Sequence, residues 1–294
     1  MKIGIGIVNF PWPTEQIGPR VADIARTADE AGIDSLWVMD HFFQIRMSGE
    51  PPEAPMLEAY GTLGYLGGQT RRIRLGTLVT SVSYRHPGVL IKTVTALDVL
   101  TGGRMYLGVG AGAPWNIEPQ GPGTAFEAEG LGIPFTSLAE RFERLEEVLQ
   151  IAHQMWRGED KPYEGRHYQL VRPLNSPNSV QRPHPPILIG GGGERKTLRL
   201  VAQYAQACNL FPSPELEHKL DVLRGHCDAE GRDYDTITKT MLSRSNPADV
   251  DAVVEEMRGY AKLGIDTVIF VPSGDPVAFT QRLGGDLAAR LEEL

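Results

Sequence analysis

Pro186-Ile187-Leu188-Ile189-Gly190-Gly191-Gly192-Gly193-Glu194-Arg195-Lys196-Thr197 reads as one structural unit: a short apolar strand, four glycines and the opening of a helix. Repetition of that unit decides the fold. Eight β-branched runs, at residues 3–8, 35–39, 74–79, 104–109, 187–189, 207–211, 238–242 and 267–271, are each followed by a helical pattern. The helices are predicted over 15–31, 56–69, 88–100, 138–157, 195–205, 215–230, 248–263 and 277–291. Gly32, Gly102, Gly158, Gly231 and Gly264 stand where helix-ending glycines belong, and Ser137, Ser213 and Asn246-Pro247 carry N-cap chemistry. Strict alternation of strand and helix builds a parallel sheet, and eight units suit closure into an α/β fold, the (β/α)8 TIM barrel, with residues 1–294 as a single domain. Gly-Ile-Asp joins a helix to a strand both at 32–34 and at 264–266, an internal echo that chance could also produce.

The chain sets 29 Lys+Arg against 37 Asp+Glu, for a formal charge of −8 over 294 residues. That balance argues against nucleic acid or an anionic membrane as partner and favours a small-molecule substrate. The start, Met1-Lys2-Ile3-Gly4-Ile5-Gly6, is short and glycine-broken, unlike a signal peptide. No run approaches the ~20 apolar residues of a membrane span, so a cytoplasmic enzyme is expected. Cys208 and Cys227 have no metal-type spacing and read as buried thiols. The seven histidines form no His-x-His or His-Glu-x-x-His, and Gly-x-Ser-x-Gly is absent; no metal is expected and serine-hydrolase chemistry lacks its signature.

Two stretches interrupt the rhythm. Residues 110–136, rich in Gly and Pro and carrying Trp115, Asn116 and Phe126, follow the fourth strand on the face where barrels do their chemistry and read as a lid. Residues 161–185 form a second excursion before the fifth strand, with a small hairpin expected over 163–168.

Asp40 and His41 end the second strand and so fall at the barrel mouth. Neighbours on a strand point to opposite sides, so one is expected to support the loop while the other faces the cavity. Histidine there can move a proton near neutral pH, or can simply brace a loop carbonyl. The glycine run is equally two-sided: it can cradle a phosphate on backbone N–H groups at a helix start, or be a plain β-to-α turn. It matches neither the dinucleotide fingerprint nor the Walker loop. Glu143, Glu146 and Glu147, with Arg141 and Arg144, read as a solvated charged face.

Taken together, Ser35-Leu36-Trp37-Val38-Met39-Asp40-His41-Phe42, the run from Leu75 to Pro87, Arg104-Met105-Tyr106-Leu107-Gly108-Val109-Gly110-Ala111-Gly112 and Pro185-Pro186-Ile187-Leu188-Ile189-Gly190-Gly191 resemble the bacterial luciferase-like flavin and deazaflavin oxidoreductases. Within them the resemblance is to the coenzyme F-420-dependent group, over nearly the whole chain. It implies a ring bound across the barrel mouth, a phosphate-bearing tail at the glycine run, and a cis peptide at Leu78-Val79 behind the ring. By matching, Asp40, His41, Val79, Thr80, Ala111, Gly112 and Asn116 would contact the ring or its side chain. Gly191, Gly192 and Gly193, with Arg195 and Lys196, would hold the tail. His41 is the proton-transfer group so implied. The sugar-phosphate dehydrogenases of the family carry a glutamate where Ala113 stands and a tryptophan near Ile45; this chain keeps neither. The resemblance therefore implies F-420-dependent hydride transfer with a small organic substrate in a homodimer. The same pocket would also serve a reduced-FMN-dependent monooxygenase of the luciferase type, or a flavin-binding barrel without catalysis.

Overall fold

The computed structural model of the chain describes residues 1–45, 48, 50–112 and 124–294. The predicted strand runs appear as β1 (Lys2–Ile7), β2 (Ser35–Val38), β3 (Arg74–Thr77) with β4 (Thr80–Ser81), β5 (Leu107–Gly110), β8 (Ile187–Gly190), β9 (Ala207–Leu210), β10 (Thr238–Ser243) and β11 (Thr267–Phe270). All lie in one sheet ordered β3-β2-β1-β11-β10-β9-β8-β5-β4, and every pairing in it is parallel. The predicted third strand is thus broken in two. β3 pairs with β2, β4 pairs with β5, and between them the Leu78-Val79 peptide is cis, as the resemblance implied.

The two ends of the sheet meet at that break. Leu75 bridges Met105, with Leu75 N donating to Arg104 O at 2.8 Å and Tyr106 N to Leu75 O at 2.8 Å. Two residues on, a Cβ at Gly108 would lie 1.7 Å from the Thr77 carbonyl oxygen. Only a residue without a side chain lets the strands approach so closely, and Thr77 Oγ1 donates to Gly108 O at 2.8 Å. Trp37, Leu188, Ala207 and Ile269 fill the barrel interior, joined by Leu78, Val79, Tyr106 and Leu242. The opposite face of the strands, including Ile5, Leu36, Leu75 and Phe270, packs beneath the helices.

The helices are α1 (Thr14–Glu30), α2 (Ala59–Gln69), α3 (Pro87–Thr101), α4 (Thr124–Gly130), α5 (Leu138–Trp156), α6 (Thr197–Tyr204), α7 (Leu216–Glu230), α8 (Val250–Lys262), α9 (Pro276–Arg282) and α10 (Ala288–Glu292). All five predicted helix-ending glycines have φ between +65° and +89°. Ser137 caps α5 as expected, accepting from Glu140 N, whereas α8 is capped by Asp249 rather than by Asn246. The single C-terminal helix expected over 277–291 is split by a wide turn at residues 283–287. Its Gly284 packs directly on Ala31, where a Cβ would come within 2.2 Å of the Ala31 Cβ.

Both interruptions are present. In the first, α4 lies within the expected lid, while residues 113–123, with Ala113, Trp115 and Asn116, fall outside the described residues. In the second, β6 (Tyr163–Glu164) and β7 (Gln169–Leu170) form an antiparallel hairpin. Its turn is held by Glu147, which accepts from Arg166 N at 2.8 Å and Tyr168 N at 2.9 Å. The reading of a solvated charged face on α5 is therefore corrected. Glu147 and Arg141 are buried, and Arg141 donates to Ala111 O at 2.9 Å and to Thr136 O at 2.6 Å, tying the helix to the segment after β5. Cys208 and Cys227 are buried free thiols, and burial pushes the Cys208 thiol up to about 12. No helix among the described residues is long and apolar enough to cross a membrane.

At the end of α5, His153 meets His184 edge to face at 4.7 Å between ring centroids, and His184 stacks on Trp156. Burial, with the neighbouring His184, lowers His153 to about 4, and burial lowers His184 as well. Both rings are thus kept neutral while an unfolded chain would protonate them.

Two expectations follow from the packing. Gly108→Ala forces a methyl into the Thr77 carbonyl and lowers stability by more than about 3 kcal/mol. Gly225→Ala, in α7 with open space around it, raises stability by about 0.5–1 kcal/mol, and urea titration reads both. The histidine cluster sets an acid limit of a definite sign: stability is full above the unfolded pKa of 6.5 and falls as the pH drops towards about 4. His153→Phe flattens that slope by about 1–2 kcal/mol across the window, measured as unfolding midpoints against pH.

Candidate active site

The C-terminal ends of β1, β2, β3, β5, β8, β9 and β10 surround a cavity of about 550 Å³. Its floor is apolar. Val79 stands at its centre, flanked by Gly110 and Gly190, where a Cβ on either would press to 3.0 Å from the Val79 methyls. Neither glycine adds a side chain beside Val79, and the lining also includes Ile45, Leu138, Phe142, Phe211 and Arg244. A broader, shallower groove of about 690 Å³ runs along α3 beside the hairpin, away from the strand ends.

β2 ends at Val38, so Asp40 and His41 lie in the segment just after it; the expectation that only one of them faces the cavity is corrected, because both line it, each turned to a different partner. His41 Nδ1 lies 2.6 Å from Glu127 Oε2, and Tyr84 OH donates to the same oxygen at 2.5 Å. The other oxygen, Oε1, accepts from Phe42 N at 2.6 Å and Phe43 N at 2.9 Å. The Glu127 side chain is 1% exposed. Burial pushes its carboxyl upward, but the donors from His41, Phe43 and Tyr84 outweigh that and hold it below the usual carboxylate range. Burial and the adjacent carboxylate push the Tyr84 phenol far up, so it stays a donor.

Asp40 is engaged on the other side. Arg85 Nη1 donates to its Oδ2 at 2.6 Å and Nη2 to its Oδ1 at 3.1 Å, a two-point guanidinium clamp. Arg85 also pairs with Glu58 and lies over the Tyr60 ring at 4.6 Å. Burial pushes the Asp40 carboxyl above its ordinary range against the pull of Arg85. Thr80 sits behind this pair, fully buried, with its Oγ1 2.7 Å from Tyr60 OH and 3.0 Å from Thr77 Oγ1.

The glycine run closes the opposite side of the mouth. Gly191 has φ +110°, a region side chains avoid, and its N–H donates to Asn209 O at 3.1 Å. Gly190, Gly191, Gly192 and Gly193 all line the cavity. Residues 194–196 form a turn, so α6 opens at Thr197 rather than at Arg195. Arg195 and Lys196 are exposed beyond the lining, with Lys196 Nζ 5.3 Å from the centre of the Phe142 ring. Lys219, not singled out in the sequence, reaches back to Gly192 O at 3.3 Å and to Glu194 at 3.4 Å.

Of the residues expected at the site, His41, Asp40, Val79, Ala111, Gly112 and the three glycines meet around one cavity. Thr80 braces it from behind, Arg195 and Lys196 stand at its edge, and Asn116 lies outside the described residues. Sequence reasoning missed Glu127, Tyr84 and Arg85. Tyr84 and Arg85 lie within the run from Leu75 to Pro87 that carries the family resemblance, but nothing local separates Glu127 from Glu129 two residues away.

Comparison with known proteins agrees with this geometry. The model of the luciferase-like monooxygenase family matches residues 1–264. A curated F-420-dependent glucose-6-phosphate dehydrogenase from Microbacterium testaceum is 31% identical over 95% of this chain and 80% of its own length. One from Nakamurella multipartita is 30% identical over 95% and 79%. Among solved structures, an F-420-dependent secondary alcohol dehydrogenase in complex with an F-420-acetone adduct superposes with a TM-score of 0.81 at 16% identity, covering 99% of this chain and 98% of that one. The F-420-dependent tetrahydromethanopterin reductase of Methanopyrus kandleri superposes at 0.78 and 17% identity, covering 99% and 100%. A parallel barrel with its broken third strand, its glycine-lined mouth and a family match across nine-tenths of its length places this chain in the luciferase-like monooxygenase family.

Proposed function

We propose that this protein is a coenzyme F-420-dependent oxidoreductase that exchanges a hydride with a small organic substrate at the barrel mouth. The observation that carries this reading is the cavity itself: it is lined by Val79 with Gly110 and Gly190 against it, by His41, and by the glycine run. A planar tricyclic ring suits that cavity, because Gly110 and Gly190 add no side chain beside Val79. When bound, the deazaflavin supplies the hydride-accepting or hydride-donating carbon.

The chain's own residues do the rest. Val79, Ala111 and Gly112 support the ring, and Asp40 is clamped by Arg85 at its edge, with Thr80 fixing that clamp from behind. Gly191, Gly192 and Gly193 let the backbone come close to the phosphate-bearing tail, while exposed Arg195 and Lys196 supply positive charge beside it. Asn116 belongs to the same set by its match to the family. His41 takes or returns the substrate proton that accompanies hydride transfer. In the same reading residues 110–136 serve as the lid of a one-domain barrel. A cytoplasmic homodimer is part of the same reading, on the strength of the family resemblance.

Titration of the purified protein with F-420 and separately with FMN, followed by ring fluorescence, tests the cofactor first. F-420 binding with cofactor reduction by propan-2-ol or glucose 6-phosphate supports the reading; oxygen uptake with reduced FMN and no F-420 binding overturns it. His41→Ala slows turnover about 10²–10⁴-fold and leaves F-420 affinity nearly unchanged. Undiminished turnover in that variant removes His41 from the mechanism.

A further inference from the structure

Glu127 offers four acceptor positions, two on each oxygen, and all four are filled: Phe42 N and Phe43 N on Oε1, His41 Nδ1 and Tyr84 OH on Oε2. An ionised carboxylate accepts and never donates. Each of its partners must therefore bring a proton, and for His41 that partner is Nδ1 at 2.6 Å. The ring nitrogen left for the cavity is Nε2, bare in the neutral imidazole.

We propose that Glu127 is the positioning residue of this active site: it fixes His41 as the Nδ1–H tautomer, so that Nε2 is the proton acceptor facing the substrate. The proposal rests on the reading of His41 as the proton-transfer group. In the direction of substrate oxidation, the substrate O–H bond breaks, its proton passes to Nε2 and its electron pair stays on oxygen. The imidazolium so formed keeps its Nδ1–H on the Glu127 carboxylate, and in the reverse direction it returns the Nε2 proton. The carboxylate belongs to α4, in the insertion after β5, whereas the ring belongs to the end of β2. The competent tautomer is therefore assembled only when α4 is seated against the segment 41–43, and the same two backbone N–H bonds that seat it also orient the carboxylate.

Glu127→Gln makes a sharp test because it keeps the shape and reverses the hydrogen bonding. Its amide oxygen must stay on the two backbone N–H groups, so its NH₂ faces His41 and needs an acceptor there. Nδ1 then loses its proton and Nε2 gains it. The readout is the ¹⁵N chemical shift pattern of the His41 ring, with the signal assigned by its loss in His41→Gln. The wild type shows a protonated Nδ1 and a bare Nε2, Glu127→Gln shows the reverse, and Tyr84→Phe, which leaves the carboxylate in place, keeps the wild-type pattern. F-420 reduction by propan-2-ol or glucose 6-phosphate falls about 10²-fold in Glu127→Gln. The double variant with His41→Gln is no slower than His41→Gln alone. A wild-type tautomer retained in Glu127→Gln, or losses that multiply in the double variant, overturns the proposal. A reversed tautomer with undiminished turnover instead confirms the positioning of the ring and overturns His41 as the proton-transfer group.

Discussion

The structure depends on one close approach. The Thr77 carbonyl occupies the space that any side chain at position 108 would need, and because Gly108 has none, the ends of the sheet can meet. Beyond that contact the third strand can no longer follow both neighbours. It pairs with β2 up to Thr77 and with β5 from Thr80, and the two residues between them leave the plane of the sheet. Val79 is one of the two. Barrel closure and the presence of Val79 in the cavity lining are thus consequences of the same geometry, and Gly110 and Gly190 add no side chain beside it.

A mouth of this kind must also hold charge where water is scarce. At the mouth two buried carboxylates, Asp40 and Glu127, belong to separate sets, each hydrogen-bonded at both oxygens. Asp40 faces a guanidinium that grips both its oxygens; Glu127 faces two backbone N–H groups, a phenol and an imidazole. Removing Arg85 leaves the buried Asp40 charge uncompensated, at a cost of about 3–5 kcal/mol, whereas Glu127 shares its charge among four donors. Two consecutive residues just beyond the end of β2, Asp40 and His41, belong to different sets because Arg85 grips one and Glu127 the other.

The strands and most helices were legible because their signals are local and repeated: β-branched runs, helix-ending glycines, an N-cap serine. What stayed hidden depends on contacts distant in sequence. Leu78 and Val79 are as strand-prone as the residues before them, and only barrel closure interrupts the run there. The C-terminal helix keeps its apolar pattern through residues 283–287, but its backbone leaves helical geometry at Gly285, next to the close approach of Gly284 to Ala31. Glu147 reads as one acid among several on a charged face until the hairpin at 163–170 folds back onto it. Glu127 is the sharpest case, since its burial is set by how a short helix docks on a loop more than 80 residues away.

That docking bears on why the fold alone does not carry the substrate across the family. Structures sharing only 16–17% of this sequence keep the barrel at TM-scores of 0.78–0.81, so the scaffold survives almost complete replacement of its side chains. Strand ends fix the floor; loops and insertions, free to vary in length and sequence, set the rim. In this chain the two are not independent. Glu127, carried on α4 after β5, supplies the partner of a residue just beyond β2, so a change in that segment is also a change in the surroundings of His41. A barrel wired this way cannot exchange its rim freely: any new insertion after β5 must either bring a carboxylate to His41 or leave that ring to find another donor–acceptor pattern, and the proton chemistry of the site changes with it.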